Sequence, residues 1–183
     1  MKHWTARDAG PWVAAALPPS AGAPLYFAVP EPWGALLWFY LFLVSGALAG
    51  TFMARRGEAG PVALRFGVAF SIPGAVLPFS LLPADGPGIV ASTAAAWGLA
   101  LGAGAGLGAF LSAPRLAGAT RSRFRSGLRV WTAFLAGGAI GGAAATLLMT
   151  ALPPSGYFAA WAAGLIGASA VGGGLLGWGE RNA

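Results

Sequence analysis

The sequence predicts an all-α integral membrane protein that crosses the bilayer about five times. Three observations predict it. The chain is 57% apolar and 9% charged, with a mean hydropathy of +0.70; a soluble domain carries roughly a quarter charged residues and could not cover a globule of this size with so little polar surface. The apolar residues fall in long uncharged runs, each close to the ~20 residues that a helix needs to cross hydrocarbon. No short alternating segments of the kind that build membrane β-barrels occur.

Residues 1–32 read as a distinct N-terminal tail. Pro11, Pro18, Pro19, Pro24, Pro30 and Pro32 interrupt it, and an internal proline removes a helix hydrogen bond and clashes with the preceding turn. Its apolar stretch Ala14–Leu17 is too short for a signal-peptide core. Trp12, Leu25, Tyr26 and Phe27 keep the tail apolar, so it is expected at the outer membrane surface or against a partner.

A transmembrane bundle is expected over 33–183. Its first span, 34–53, has no charge and is stopped by Arg55 and Arg56. The second, 62–82, carries Arg65 near its start and should kink at Pro73 and Pro78; membrane helices tolerate such kinks where neighbours satisfy the freed carbonyls. A proline–glycine turn around Asp85 follows. The third span is 89–113. The fourth, 130–152, follows a loop holding Arg115, Arg121, Arg123, Arg125 and Arg129 with no acid. Pro153–Gly156 turns the chain into the fifth span, 157–179.

The net charge of +6 and pI near 11.2 suggest nucleic acid at first sight. The basic residues, however, sit in connections between apolar runs and no soluble domain supports them, so they are topology determinants and no nucleic-acid partner is expected. Arginine-rich connections face the cytoplasm. With five spans this puts the N-terminus outside and the C-terminus inside. Lys2 and Arg7 oppose that assignment, at a distance from the first span.

Glycines four apart let membrane helices approach closely. Gly46 and Gly50, the series Gly98 to Gly108, Gly137 to Gly142, and Gly173 with Gly177 fit this pattern. They serve packing within one bundle, a docking face for another subunit, or both. Trp33, Trp131, Trp161 and Trp178 lie near span ends and suit an interfacial belt; Trp38 and Trp97 lie deeper and suit core packing or lipid contact more than a ligand site.

Chemistry has few carriers. The chain has no cysteine and His3 is its one histidine, which rules out disulfides, cysteine-ligated clusters and a bis-histidine haem, and leaves no metal site or catalytic residue to name. The spans hold one charged residue, Arg65, which can snorkel, so an ion pump is disfavoured. The remaining polar groups gather at the outer end: Tyr26, Glu31, Trp33, Asp85 and Ser92, with Tyr157 as a further candidate. Glu31 is either a solvated acid at a helix start, where the dipole favours it, or a proton acceptor. Asp85 is either a turn former or a second such group.

The run Pro32–Leu43 followed by Ser45–Gly50, the Asp85–Gly86–Pro87 turn, and Ser92 with Trp97–Gly98 resemble the first three helices of the NrfD-like family, the membrane subunits of polysulfide reductase and related respiratory complexes. The resemblance covers roughly residues 30–108. The turn lacks the family's arginine, and the family has eight or more spans. It implies a haem-free anchor in a bacterial-type inner membrane, without a covalent cofactor, surrounded by lipid and other subunits. Such an anchor exchanges electrons between quinone and an iron–sulfur partner at the outer face. By position, Glu31 and Trp33 would border the quinone pocket, with Tyr26, Asp85 and Ser92 near it. The competing expectations are a ligand-free structural or assembly subunit and a small transporter or channel.

Overall fold

A computed structural model describes residues 6–78, 88–117 and 122–181. Apart from short turns and one isolated β-bridge, these residues are helical: α1 Ala6–Ala28, α2 Trp33–Met53, α3 Ala59–Ala69, α4 Ser71–Val76, α5 Ile89–Ser112, α6 Arg123–Ala151 and α7 Tyr157–Arg181. Five stretches are long and apolar enough to cross a membrane: α2, α3 with α4, α5, α6 and α7 with the turn before it. The chain is thus an all-α, multi-pass membrane protein with five apolar helical stretches where five spans are expected. The end of the second expected span, 79–82, lies outside the described residues, and α6 starts at Arg123, two turns before the expected fourth span.

The second span is broken as its prolines require. Pro73 has no N–H to offer the Ala69 carbonyl, and the helix interrupts at Phe70, whose N–H bonds to the carbonyls of Phe66 (2.9 Å) and Gly67 (3.1 Å). The Pro73 ring then packs on Gly104 of α5.

Residues 6–28 differ from the proline reading. They form one 23-residue helix with Pro11, Pro18, Pro19 and Pro24 inside it. It packs lengthwise on α7 and α2, so the segment expected as a tail is part of the bundle. Tertiary packing outweighs the local penalty here. The buried positions Ala9, Trp12, Ala15, Ala16, Pro19, Ser20 and Ala23 lie on one face, and most are small enough to let α1 lie close to its neighbours.

With α1 included, neighbours run α1, α2, α3 with α4, α5, α6, α7 and back to α1. The bundle is a closed ring. Its axis is filled by side chains from every member, including Pro19, Ser45, Phe70, Leu101, Phe134 and Ser169, around a void of about 20 Å³.

Glycines set the spacing of this ring. Along the most extensive contact, Gly98, Gly102 and Gly106 of α5 face the backbone of Leu135, Trp131 and Gly127 on α6. In return, Gly138 faces the Trp97 carbonyl, where a methyl group would sit 2.6 Å from the oxygen. Gly46 and Gly50 of α2 meet α3 in the same way. Close backbone approach replaces the hydrophobic effect as the source of helix attraction in lipid, because it multiplies dispersion contacts.

Trp38, Trp97 and Trp161 are fully buried and form a chain, with centroids 4.5 Å apart from Trp38 to Trp161 and from Trp161 to Trp97. Trp38 and Trp97 thus lie in the core as read. Trp161 departs from the belt expectation: the turn Pro154–Gly156 starts α7 early enough that Trp161, on its second turn, faces the ring interior. Trp33 and Trp178 are exposed, as a belt requires.

Candidate functional site: an apolar pocket at the end opposite the arginines

The two ends of the bundle differ in kind. At one end the loops after α2 and α5 are pinned together. Ala54 bridges Leu116, the Arg55 N–H donates to the Arg115 carbonyl at 2.8 Å, and the Ala117 N–H donates to Met53 at 2.9 Å. Arg115 pairs with Glu58 at 2.8 Å. Other arginines tie their side chains to main-chain carbonyls of neighbouring elements: Arg65 donates to Leu111 of α5 (3.1 Å), Arg129 to Leu176 of α7 (3.0 Å) and Arg55 to Leu116 (2.8 Å). Arg65 therefore reaches the end of the bundle, as snorkelling predicts. These arginines are structural.

The opposite end holds the pocket. α1 ends at Ala28, and the connection Val29–Pro32 reverses the chain into α2. Gly34 makes the corner possible, since a methyl group there would lie 2.8 Å from the Tyr26 carbonyl. The reversal brings the Tyr26 hydroxyl onto the Glu31 carboxylate, to which it donates a hydrogen bond. The Tyr26 ring lies 5.0 Å from that of Trp38, so the buried tryptophan chain backs the site.

Below this pair lies a cavity of about 550 Å³ lined by Tyr26, Glu31, Pro32, Ala35, Leu36, Phe39, Gly74, Ala75 and Pro78. Its size suits a small-molecule ligand, and its make-up, apolar with one convergent polar pair, is that of ligand sites generally. The break at Phe70 creates the space. Beyond it, α4 presents Gly74 and Ala75 to α2 in place of longer side chains. Gly74 nearly touches the Phe39 carbonyl, 3.3 Å from where a Cβ would stand.

Of the residues expected at the site, the structure unites Tyr26 and Glu31. Trp33 sits one turn before the lining residues of α2, but it is two-thirds exposed and forms no part of the wall. Ser92 lies on α5, also outside the wall, and its hydroxyl donates to the Ile89 carbonyl at 3.0 Å. Asp85 lies outside the described residues. Glu31 precedes Pro32, the N-cap of α2, and its carboxylate faces Tyr26. The apolar wall, with Phe39, Gly74, Ala75 and Pro78, carries no distinct signal in the sequence beyond the Pro73–Gly74 break, which opens the second span as well as kinking it. Among the described residues no three histidine or acidic side chains gather as a metal site.

The fold defines a multi-pass helical membrane protein with an apolar cavity at one end of its bundle. No family model, no curated protein and no solved structure matches the chain.

Proposed function

We propose that this chain is a membrane-anchor subunit of a respiratory oxidoreductase in a bacterial-type inner membrane, and that its pocket takes a quinone or quinol. One observation carries the reading: an apolar cavity of about 550 Å³ with a hydrogen-bonded tyrosine–carboxylate pair at its edge. An amphiphile with an oily tail and a small polar head matches that layout. Phe39 and Leu36 would pack on ring and tail. Tyr26 would orient a head oxygen, and Glu31 would take up one of the two protons released on quinol oxidation, the second passing to water at that end of the bundle. The two electrons would pass one at a time to the iron–sulfur clusters of a partner at that end, because a chain with no cysteine and one histidine offers no cluster or bis-histidine haem ligands of its own. The resemblance of residues 30–108 to NrfD-like subunits supports the same reading.

The test is photolabelling in lipid nanodiscs with an azido-quinone. Label should enter the peptides around Tyr26–Phe39 and Gly74–Pro78, and Ala75→Phe, at an exposed position of the cavity wall, should abolish it. Undiminished labelling of Ala75→Phe would rule out this pocket. Recovery of the chain in mild detergent with an iron–sulfur protein would support the anchor role; recovery with no redox protein would favour a ligand-free structural subunit.

A second reading, a small transporter or channel, has one observation in its favour: the closed ring and its central void. A void of about 20 Å³ holds roughly one water, and Trp12 with Phe134, 4.3 Å apart, closes it on one side. Solute flux through proteoliposomes containing Phe134→Ala would reveal such a path.

A further inference from the structure

We infer that α1 is a sixth membrane-spanning helix, so that the chain enters and leaves the bundle on the same side. This goes beyond the five apolar spans and reverses the sidedness that five would give to residues before α1.

The first argument is length and surface. Ala9–Ala28 is 20 residues without a charge, about 30 Å of helix, the thickness of the hydrocarbon core. Among the described side chains of this stretch, the exposed positions are Gly10, Leu17, Ala21, Pro24, Leu25 and Ala28, none of them polar. The helix is less hydropathic than the other five because alanine, glycine and proline replace leucine and phenylalanine. That substitution serves close packing and adds no polar surface. In lipid, four prolines are better tolerated within a helix than as an open segment, where every peptide group would lack a partner.

The second argument is register. At the start of α1, Trp12 packs on Gly173 near the end of α7 and on Phe134 of α6. Midway, Pro19 shares the central void with Ser45, Leu165 and Ser169. At its end, Tyr26 lies on Trp38, which lies on Trp161 near the start of α7. The helix therefore runs antiparallel to α7 from one end of the bundle to the other. A helix lying on a membrane surface would meet one end only.

The third argument is charge. With six crossings, Arg7 in the first turn of α1 falls at the same end as Arg55, Arg56, Arg65, Arg115, Arg123, Arg125, Arg129 and Arg181. Lys2 and Arg121 adjoin that end in sequence. All 11 basic residues then obey one sidedness rule, and the opposition of Lys2 and Arg7 disappears. With five crossings, two of them violate it.

The absence of native cysteine makes the test direct. Single variants Thr5→Cys, Ala59→Cys and Ser155→Cys are probed in intact cells with a membrane-impermeant maleimide. Thr5→Cys should behave as Ala59→Cys does and oppositely to Ser155→Cys: shielded in intact cells and labelled after permeabilisation. Labelling of Thr5→Cys together with Ser155→Cys would overturn the inference. Because the comparison is relative, it holds whichever face the arginines occupy. An epitope tag placed ahead of Met1 reports the same sidedness with no residue replaced, should the Thr5→Cys variant fail to accumulate.

Discussion

Gly141 of α6 and Gly164 of α7 face each other backbone to backbone: a methyl group on either would run into the other's carbonyl oxygen. Neither residue has a flexible neighbour that could yield at this point. For Gly141 the other obstacles are the Cβ and N–H of Ala168, and for Gly164 they are the Ala145 Cβ and the rim of Trp97. Gly164→Ala should therefore force the helices apart and lower stability by about 1–3 kcal/mol. Gly167, on the same helix, meets nothing within 4 Å, and Gly167→Ala should be neutral or stabilising by up to about 1 kcal/mol. Thermal unfolding of both variants in one detergent distinguishes this from a general intolerance of α7.

The buried tryptophans allow a sharper comparison. Among the described residues, the indole N–H groups of Trp38 and Trp161 have no hydrogen-bond partner, although both side chains are fully buried. An unpaired buried donor costs about 1–3 kcal/mol. Trp161→Phe removes that donor while keeping an aromatic ring, so its packing loss should be largely offset and the net change should stay within about 1 kcal/mol. Trp161→Ala removes the ring from contact with both Trp38 and Trp97 and should cost about 3–5 kcal/mol. Equal losses for the two variants, in the same unfolding assay, would mean that the indole N–H is satisfied in the membrane.

How far the sequence alone reaches can be seen at α1 and at the pocket. Uncharged length is a property of one segment, and it placed α2 to α7 to within a turn at most boundaries. Proline content is also local, but whether prolines break a helix depends on what lies beside it. At Phe70 the break is real, because α5 offers Gly104 to receive the Pro73 ring. In α1 the helix continues, because α2 and α7 clasp it along its length. Tyr26 and Glu31 were legible as rare polar groups in an apolar chain. Phe39, Gly74 and Ala75 were not, since a pocket wall is made of ordinary apolar residues and is visible only once two helices are placed.

Arginine contacts at the basic end should differ in weight. Arg115 and Glu58 are each more than a third exposed, and a solvated pair of this kind contributes about 0–1 kcal/mol; Glu58→Gln should leave stability nearly unchanged and any small effect should vanish in high salt. Arg129 instead donates to the Leu176 carbonyl from a partly buried position. Arg129→Met leaves that carbonyl without its charged donor and should cost about 1–3 kcal/mol. The loss should be local: amide hydrogen exchange should quicken in the last turns of α7 and remain slow around Gly98 and Gly138. Uniform acceleration across the bundle would contradict a local role for this contact.

The pocket yields the last prediction. Tyr26→Phe deletes the hydroxyl that reaches Glu31 and keeps the ring on Trp38, so the bundle should remain as stable as before. If Tyr26 also orients a quinol oxygen, the variant forfeits one neutral hydrogen bond, about 1 kcal/mol, or roughly a fivefold weakening of binding. Glu31→Gln retains shape and hydrogen bonding but cannot take up a proton. It should leave binding of the oxidised quinone within about twofold, a difference of under 0.5 kcal/mol, while slowing quinol oxidation by the intact complex much more than Tyr26→Phe does. The separation of binding from turnover is the informative result. A structural role for the pair would shift the unfolding temperature in both variants and leave the two functional readouts moving together.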